Sequence, residues 1–400
     1  SYFISIAKGA DGLTALNLVM PLYSIIFSIG EMIGVGSAIR YAISKIKKDA
    51  DADDYFWNAL IWCILSSMLF VFAGIFFSAD IMRVLGADEH IVAVGNNYTK
   101  IFMCFAPMFM CNYVTNAFVR NDGAPGIAMS ATLFSSLFNI VFDYILMFPM
   151  NLGMEGAALA TALSPIIGMG ICSIHFFSKK SSVRLVVCKP SVRKLVAGGQ
   201  LGVSAFVGEM SSAVITLAFN FVILKLAGNV GVAAYGVVAN IAIVTTAVFN
   251  GVAQGSQPLI SSCFGRGDKD GCTQLKRMGY TTAFVLAAVM YSILFIFAGQ
   301  FVAVFNSEGS EMLRLYATEG VKLYFIGIFF AGINIVGGGA FSATEDAFKA
   351  AVVSVARGFV LILGAVFVMS AFFGMTGVWL AYAVAEGITT FIMLVMAMRV

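Results

Sequence analysis

Long apolar stretches separated by short polar loops set the pattern of the chain. Residues 56–78, 284–304 and 361–373 read as near-continuous hydrocarbon, and crossing a bilayer takes about 20 such residues. The pattern predicts eleven full transmembrane helices, at 14–39, 56–78, 95–118, 127–149, 154–177, 201–225, 235–263, 281–303, 315–341, 350–373 and 376–398. Residues 2–7 read as the tail of one more helix that begins upstream, so the chain reads as a fragment of a protein with about twelve spans. The predicted class is an all-α polytopic membrane protein.

Composition agrees with that class. Of the 400 residues 60% are hydrophobic and 11% charged, where a soluble domain carries about 25% charged residues. The 40 glycines suit helices that approach one another closely. Seven cysteines are scattered without a CxxC pair and read as reduced thiols acting as small apolar side chains.

Charge orients the spans. Of the 24 Lys and Arg, 18 fall in alternate loops, after the spans ending near 39, 118, 177, 263 and 341, and at the C-terminus. The other six are Lys8, Arg83, Lys100, Lys225, Arg314 and Lys322. Cytoplasmic loops carry the excess of cations, so the basic stretch 178–194 and the C-terminus, with Arg399, are expected in the cytoplasm of a cell (inner) membrane protein. That loop position accounts for the stretch without a nucleic-acid partner.

Self-comparison finds two halves displaced by about 222 positions. GMEGAALATA at 153–162 repeats as GMTGVWLAYA at 374–383, and 17–45 lies opposite 240–268, so that Glu31 faces Gln254. Six spans per half keep both halves in one orientation, related by a pseudo-two-fold axis along the membrane normal. The expected organisation is an N-lobe at 1–177, a cytoplasmic linker at 178–200 and a C-lobe at 201–400.

Glu31, Asp143, Glu209 and Glu386 fall inside predicted spans. Each costs about 2.5–3.5 kcal/mol at a helix centre even on the lenient insertion scale. All four are therefore expected to face a cavity or a partner, or to be protonated. Lys and Arg appear only toward loops, so no cation is expected beside these acids, and an acid that takes and releases a proton is what proton-coupled transport needs. Asp143 shares a helix face with Asn139 four residues before it, and Asn116 and Thr161 on neighbouring spans extend a polar cluster able to hold a proton or a Na⁺ ion. The other reading of these groups is helix fastening, at about 0.6 kcal/mol per contact. Phe206, Met210 and Phe219 surround Glu209 with apolar surface, and Glu31 and Glu386 read as secondary acids for packing or gating.

Pro21, Pro107 and Pro165 permit bends within spans. Gly337, Gly338 and Gly339 read as close packing, since no strand precedes them and no Lys-Ser/Thr follows. His90 and His175 have no partner at ligand spacing, so no metal site is expected. No nucleophile, base or metal constellation of an enzyme appears.

Several segments together resemble the multidrug and toxic compound extrusion (MATE) family: NIVFDYILMF at 139–148, GMEGAALAT at 153–161, FVRNDGAP at 118–125, ANIA at 239–242 and GVAQGSQPLI at 251–260. The resemblance implies a V-shaped bundle of two six-helix lobes. It implies a secondary antiporter that exports organic cations and drugs in exchange for H⁺ or Na⁺, with no other cofactor. Matching the family's N-lobe network residue by residue gives Tyr98, Asn116, Asn139, Asp143 and Thr161, with a first-helix acid upstream of Ser1. In the C-lobe Glu209 lies on the seventh span, as the family's acid often does, and Asn334 stands where some members carry an acid on the tenth. A monomer in the lipid bilayer is expected. The alternatives are a flippase for lipid-linked sugars, which the lack of mid-span cations disfavours, and a non-transporting scaffold.

Overall fold

The structure, a computed structural model, describes residues 2–305 and 310–398, so Ser1 and Arg399 lie outside the described residues. Thirteen α-helices follow in order, with no strand among the described residues. They are α1 (Tyr2–Lys47), α2 (Asp54–Val84), α3 (Glu89–Cys104), α4 (Ala106–Asn121), α5 (Pro125–Met147), α6 (Gly153–Phe176) and α7 (Val192–Gly265). After them come α8 (Lys269–Ile296), α9 (Ala298–Phe305), α10 (Glu311–Tyr324), α11 (Ile328–Ala343), α12 (Ala347–Val355) and α13 (Leu361–Met398).

Two long helices are each two spans joined at a glycine. Gly228 in α7 (φ 61°, ψ −156°) and Gly374 in α13 (φ 56°, ψ −135°) leave helical geometry, in a region that a side chain would strain. With α3 and α4 counted as one span bent by 45°, α10 joined to α11 and α12 joined to the first half of α13, the described helices make eleven crossings. Pro107 sits in the first turn of α4, at that bend, where its missing N–H is not needed. Residues 2–7 and 14–39, expected as separate helices, run without a break in α1. The intervening KGADGL has no proline to stop it, and its 46 residues reach about 70 Å.

The side chains are sorted for lipid. The outer face of α5 exposes Leu133, Phe134, Leu137 and Ile140 at helical spacing, while α2 buries Asn58, Cys63, Ser67, Gly74 and Ser78 and exposes Leu69, Phe72 and Phe76. Small and polar groups face protein because lipid already supplies an apolar environment.

Two compact units divide the chain, Ser1–Phe206 and Val207–Val400, so the boundary falls inside α7. In the first unit, Leu16, Met82, Tyr98, Met147 and Met154 form part of the core. In the second, Phe219, Tyr235, Phe249 and Trp379 do. The start of α7 is fastened to α1 within the first unit: a Cβ on Gly36 would meet the backbone of Gly198 and Gly202, and one on Gly202 would meet the Met32 carbonyl. Arg40 Nε donates to the Ala197 carbonyl beside this crossing at 3.2 Å.

The segment between α6 and α7 is held by Asp122. This carboxylate pairs with His175 Nε2 at 2.7 Å and accepts from Tyr41 Oη (3.2 Å), Ser181 Oγ (3.2 Å), the Ser182 N–H (2.9 Å) and Ser182 Oγ. His175 and Asp122 are both almost fully buried, so His175, read as lacking a partner at metal-ligand spacing, has a carboxylate partner 53 positions away. His90 likewise reaches Asp11 at 3.0 Å. Farther along, Lys194 Nζ contacts Asp54 at 2.6 Å and Asp51 at 3.0 Å, and this hydrogen bond holds the Asp51 carboxyl below its ordinary range.

Replacing Gly36 with Val should separate α1 from α7 at their crossing and cost about 1–3 kcal/mol. Gly199→Ala, where a Cβ meets open space, should be close to neutral. Thermal unfolding of the detergent-purified variants checks this; equal midpoints for the two would show that the crossing tolerates a side chain.

Candidate functional site

The first unit gathers polar side chains from four helices around Asp143. Gly156 starts the arrangement: a Cβ there would touch the Leu146 carbonyl, so α6 lies directly on α5. That contact brings Thr161 of α6 beside Asn139 of α5, whose Nδ2 donates to Thr161 Oγ1 at 3.2 Å. Tyr98 of α3 lies within hydrogen-bonding reach of Thr161. Its hydroxyl also shares a hydrogen bond with that of Tyr23 on α1, and the Tyr23 ring stacks on Phe102 at 3.6 Å. Asp143 acts electrostatically on both tyrosines. Its Oδ1 is buried and has no hydrogen-bond partner among the described residues. An unmet buried acceptor of this kind costs about 1–3 kcal/mol or more when charged, so the site can take up a proton or a small cation there.

Tyr23 was missed by sequence reading, because nothing on α1 marks it out before the fold places it against Tyr98. Asn116 is the opposite case. Expected in the Asp143 cluster, it donates instead to the Ala128 carbonyl (3.0 Å) and to Thr132 Oγ1 (3.2 Å) near the start of α5. Thr132 precedes Asp143 by eleven positions on that helix, about 16 Å along its axis. Asn116 therefore fastens α4 to α5 at a different depth.

The second unit carries a different cluster. Glu386 on α13, with a side chain 3% exposed, accepts from Arg357 Nη2 at 2.7 Å and from Arg357 Nε at 3.1 Å. Asn334 of α11 donates to Glu386 Oε2 at 2.7 Å and to its backbone carbonyl at 2.9 Å. Thr390 Oγ1 closes the set on Asn334 Oδ1 at 3.0 Å. Arg357 sits on a π-helical turn, Ala356–Val360, between α12 and α13; such turns interrupt α-helices at special positions.

This corrects two expectations. A cation does stand beside a buried acid: Arg357, counted with the loops because it follows the start of a span, is turned into the protein by that π segment. Arg120, at the last turn of α4 and also counted with a loop, lies within electrostatic reach of Glu31. Asn334, grouped with Glu209, instead bonds Glu386, which was taken as secondary. Glu209 is half-buried and has no hydrogen bond or ion pair among the described residues.

Removing the Glu386 carboxylate strands a guanidinium that cannot lose its proton, whereas removing Arg357 leaves a carboxylate that can gain one. Glu386→Gln should therefore cost about 3–5 kcal/mol and Arg357→Gln less. The double variant should be more stable than Glu386→Gln alone. Chemical denaturation in detergent ranks the three, and a double variant no better than Glu386→Gln would break the pairing argument.

The MatE family model matches residues 1–145 and 205–368. Among curated proteins, the multidrug export protein MepA of Staphylococcus aureus (strain MRSA252) is 27% identical over 399 residues, covering 97% of this chain and 85% of MepA. MepA of Staphylococcus saprophyticus is 26% identical over 394 residues, with the same shares. Two solved structures have the same fold. One is the outward-facing conformation of a multidrug resistance MATE family transporter of the MOP superfamily, with TM-score 0.92 and 20% identity, covering 100% of this chain and 90% of that one. The other is a MOP superfamily transporter from Pyrococcus furiosus described by a reverse polarity of its binding pocket, with TM-score 0.91 and 19% identity and the same shares.

Proposed function

This chain belongs to the MatE family, and we propose that it is a secondary antiporter that exports organic cations and drugs in exchange for H⁺ or Na⁺. The family is one of transporters, not enzymes. The observation that carries the coupling half of the proposal is the buried, unpartnered Oδ1 of Asp143 beside Asn139, Thr161, Tyr98 and Tyr23. A carboxylate with hydroxyl and amide neighbours and no Lys, Arg or His partner among the described residues has a vacant acceptor for a proton or for Na⁺. Oxygen donors of that kind suit a hard monovalent ion as well as a proton.

Export of cations draws on other features. The curated relatives are named as multidrug export proteins, and Glu209 offers a half-buried carboxylate with no hydrogen bond or ion pair among the described residues. An organic cation supplies the missing counter-charge, and aromatic and Met side chains adapt to varied apolar bodies. Alternating access then follows from the two units moving as bodies. The linker and the C-terminus face the cytoplasm by the positive-inside rule, and the protein works as a monomer in the cell membrane. Arg357 does not favour a flippase for lipid-linked sugars, because Glu386 already takes its charge.

Efflux of a fluorescent cation such as ethidium from vesicles checks the proposal. With an imposed pH or Na⁺ gradient, Asp143→Asn should lower the initial rate by at least about tenfold, the loss expected for an essential proton or ion carrier. Glu209→Gln should raise the half-saturating ethidium concentration. Full gradient-driven transport by Asp143→Asn would remove that residue from the coupling step.

A further inference from the structure

One face of α8 groups Thr273, Lys276, Arg277, Tyr280 and Thr281 at spacings of three and four residues, which brings their side chains together. They line a cavity of about 360 Å³ in the second unit, whose remaining wall is Ala340 and Phe341 of α11 and Ala397 of α13. Neither Lys276 nor Arg277 makes an ion pair among the described residues. Asp346, the carboxylate within electrostatic reach of Lys276, is already bound to Lys349 at 3.0 Å. Two adjacent cations therefore stand at a cavity with the Tyr280 and Thr281 hydroxyls and, among the described residues, no carboxylate paired to either.

The cavity also has a definite place along the helices. It lies where α8 begins and where α11 and α13 end, at one end of the unit. Lys276 is seven positions into α8, about 10 Å, a depth from which a long cationic side chain reaches the headgroup layer. One wall is cationic and hydroxylated, and the other is apolar. A soluble anion would use the first wall only. An amphipathic anion uses both.

We propose that this cavity binds the phosphate headgroup of an anionic phospholipid. Lys276 and Arg277 meet the phosphate charge, the hydroxyls of Tyr280 and Thr281 supply donors to its oxygens, and the acyl chains leave along Phe341 and Ala397; the Thr273 hydroxyl is already donated to the Lys269 carbonyl at 2.9 Å. Basic pockets between transmembrane helices recognise such headgroups. This differs from the general excess of cations on one side of the protein, because it depends on two particular residues and on the cavity between three helices.

The test measures the thermal midpoint of the purified full chain in detergent with added dioleoyl phosphatidylglycerol, dioleoyl phosphatidylcholine or inorganic phosphate at matched concentration. Phosphatidylglycerol should raise the midpoint by on the order of 5 °C, and phosphatidylcholine and inorganic phosphate should not. Lys276→Gln/Arg277→Gln should lose the shift. Lys276→Arg/Arg277→Lys, which keeps the charge, and Arg266→Gln/Lys269→Gln, which removes two nearby cations outside the cavity, should retain it. Equal shifts with both lipids, a shift kept by Lys276→Gln/Arg277→Gln, or a shift lost in Arg266→Gln/Lys269→Gln would overturn the site. An equal shift with inorganic phosphate would overturn the lipid. If Lys276→Gln/Arg277→Gln does not fold, native mass spectrometry of retained phosphatidylglycerol on wild type against Phe341→Ala decides: retention unchanged by Phe341→Ala overturns the proposal.

Discussion

A carboxylate surrounded by hydrocarbon must take a cation, take a proton or reach water, and the acids of this chain resolve that constraint differently. Glu386 takes a cation, with Arg357 at 2.7 Å and Asn334 filling its other oxygen. Glu31 has Arg120 within electrostatic reach. Among the described residues, Asp143 has hydroxyl and amide neighbours but keeps one buried oxygen without a hydrogen-bond partner, and Glu209 stays half-buried with none. Their surroundings separate the acids before any function is assigned. A charge fully matched inside the protein has little left to exchange, while an unmatched one can trade a proton, an ion or a bound cation.

The same constraint explains why small and polar residues face inward. Lipid is as apolar as a leucine side chain, so packing and hydrogen bonding hold the helices together. Gly36, Gly198 and Gly202 bring two backbones into contact, and Gly156 lays α6 on α5. That second contact has a direct consequence for chemistry, since it sets the 3.2 Å bond between Asn139 and Thr161. Packing of glycine and placement of the polar site are one event there.

The eleven spans were legible because each is a long one-dimensional run of apolar residues, and a span needs nothing from the rest of the chain to be recognised. The breaks were harder to read. Gly228 is one of two glycines in 226–234, and only its backbone angles show that it divides α7. Pairings were least legible. Asp122 and His175 are 53 positions apart, and Arg357 and Glu386 are 29 apart. A loop-charge count must place a cation near a span end in the water phase, so it assigned Arg357 and Arg120 to loops. The π turn at Ala356–Val360 and the last turn of α4 direct them inward instead. Asn116 failed for the related reason that sequence position along a span gives depth only coarsely, and a shift of about 16 Å moves a side chain from one cluster to another.

The internal repeat sharpens the contrast between the units. Segments such as 153–162 and 374–383 still match in sequence, yet the polar chemistry has diverged: Glu31 of the first half aligns in sequence with Gln254 of the second, and Glu386 has an arginine partner while Asp143 has none among the described residues. Duplication preserves what the bilayer demands of every span, namely length, apolarity and small residues at crossings. It does not preserve individual charges, because each costs several kcal/mol and persists only where something offsets it. A repeated frame with unequal charges therefore places different polar chemistry in the two units. Under the proposed antiport mechanism, that inequality lets one gradient act on Asp143 without being absorbed at Glu386, whose charge Arg357 already holds.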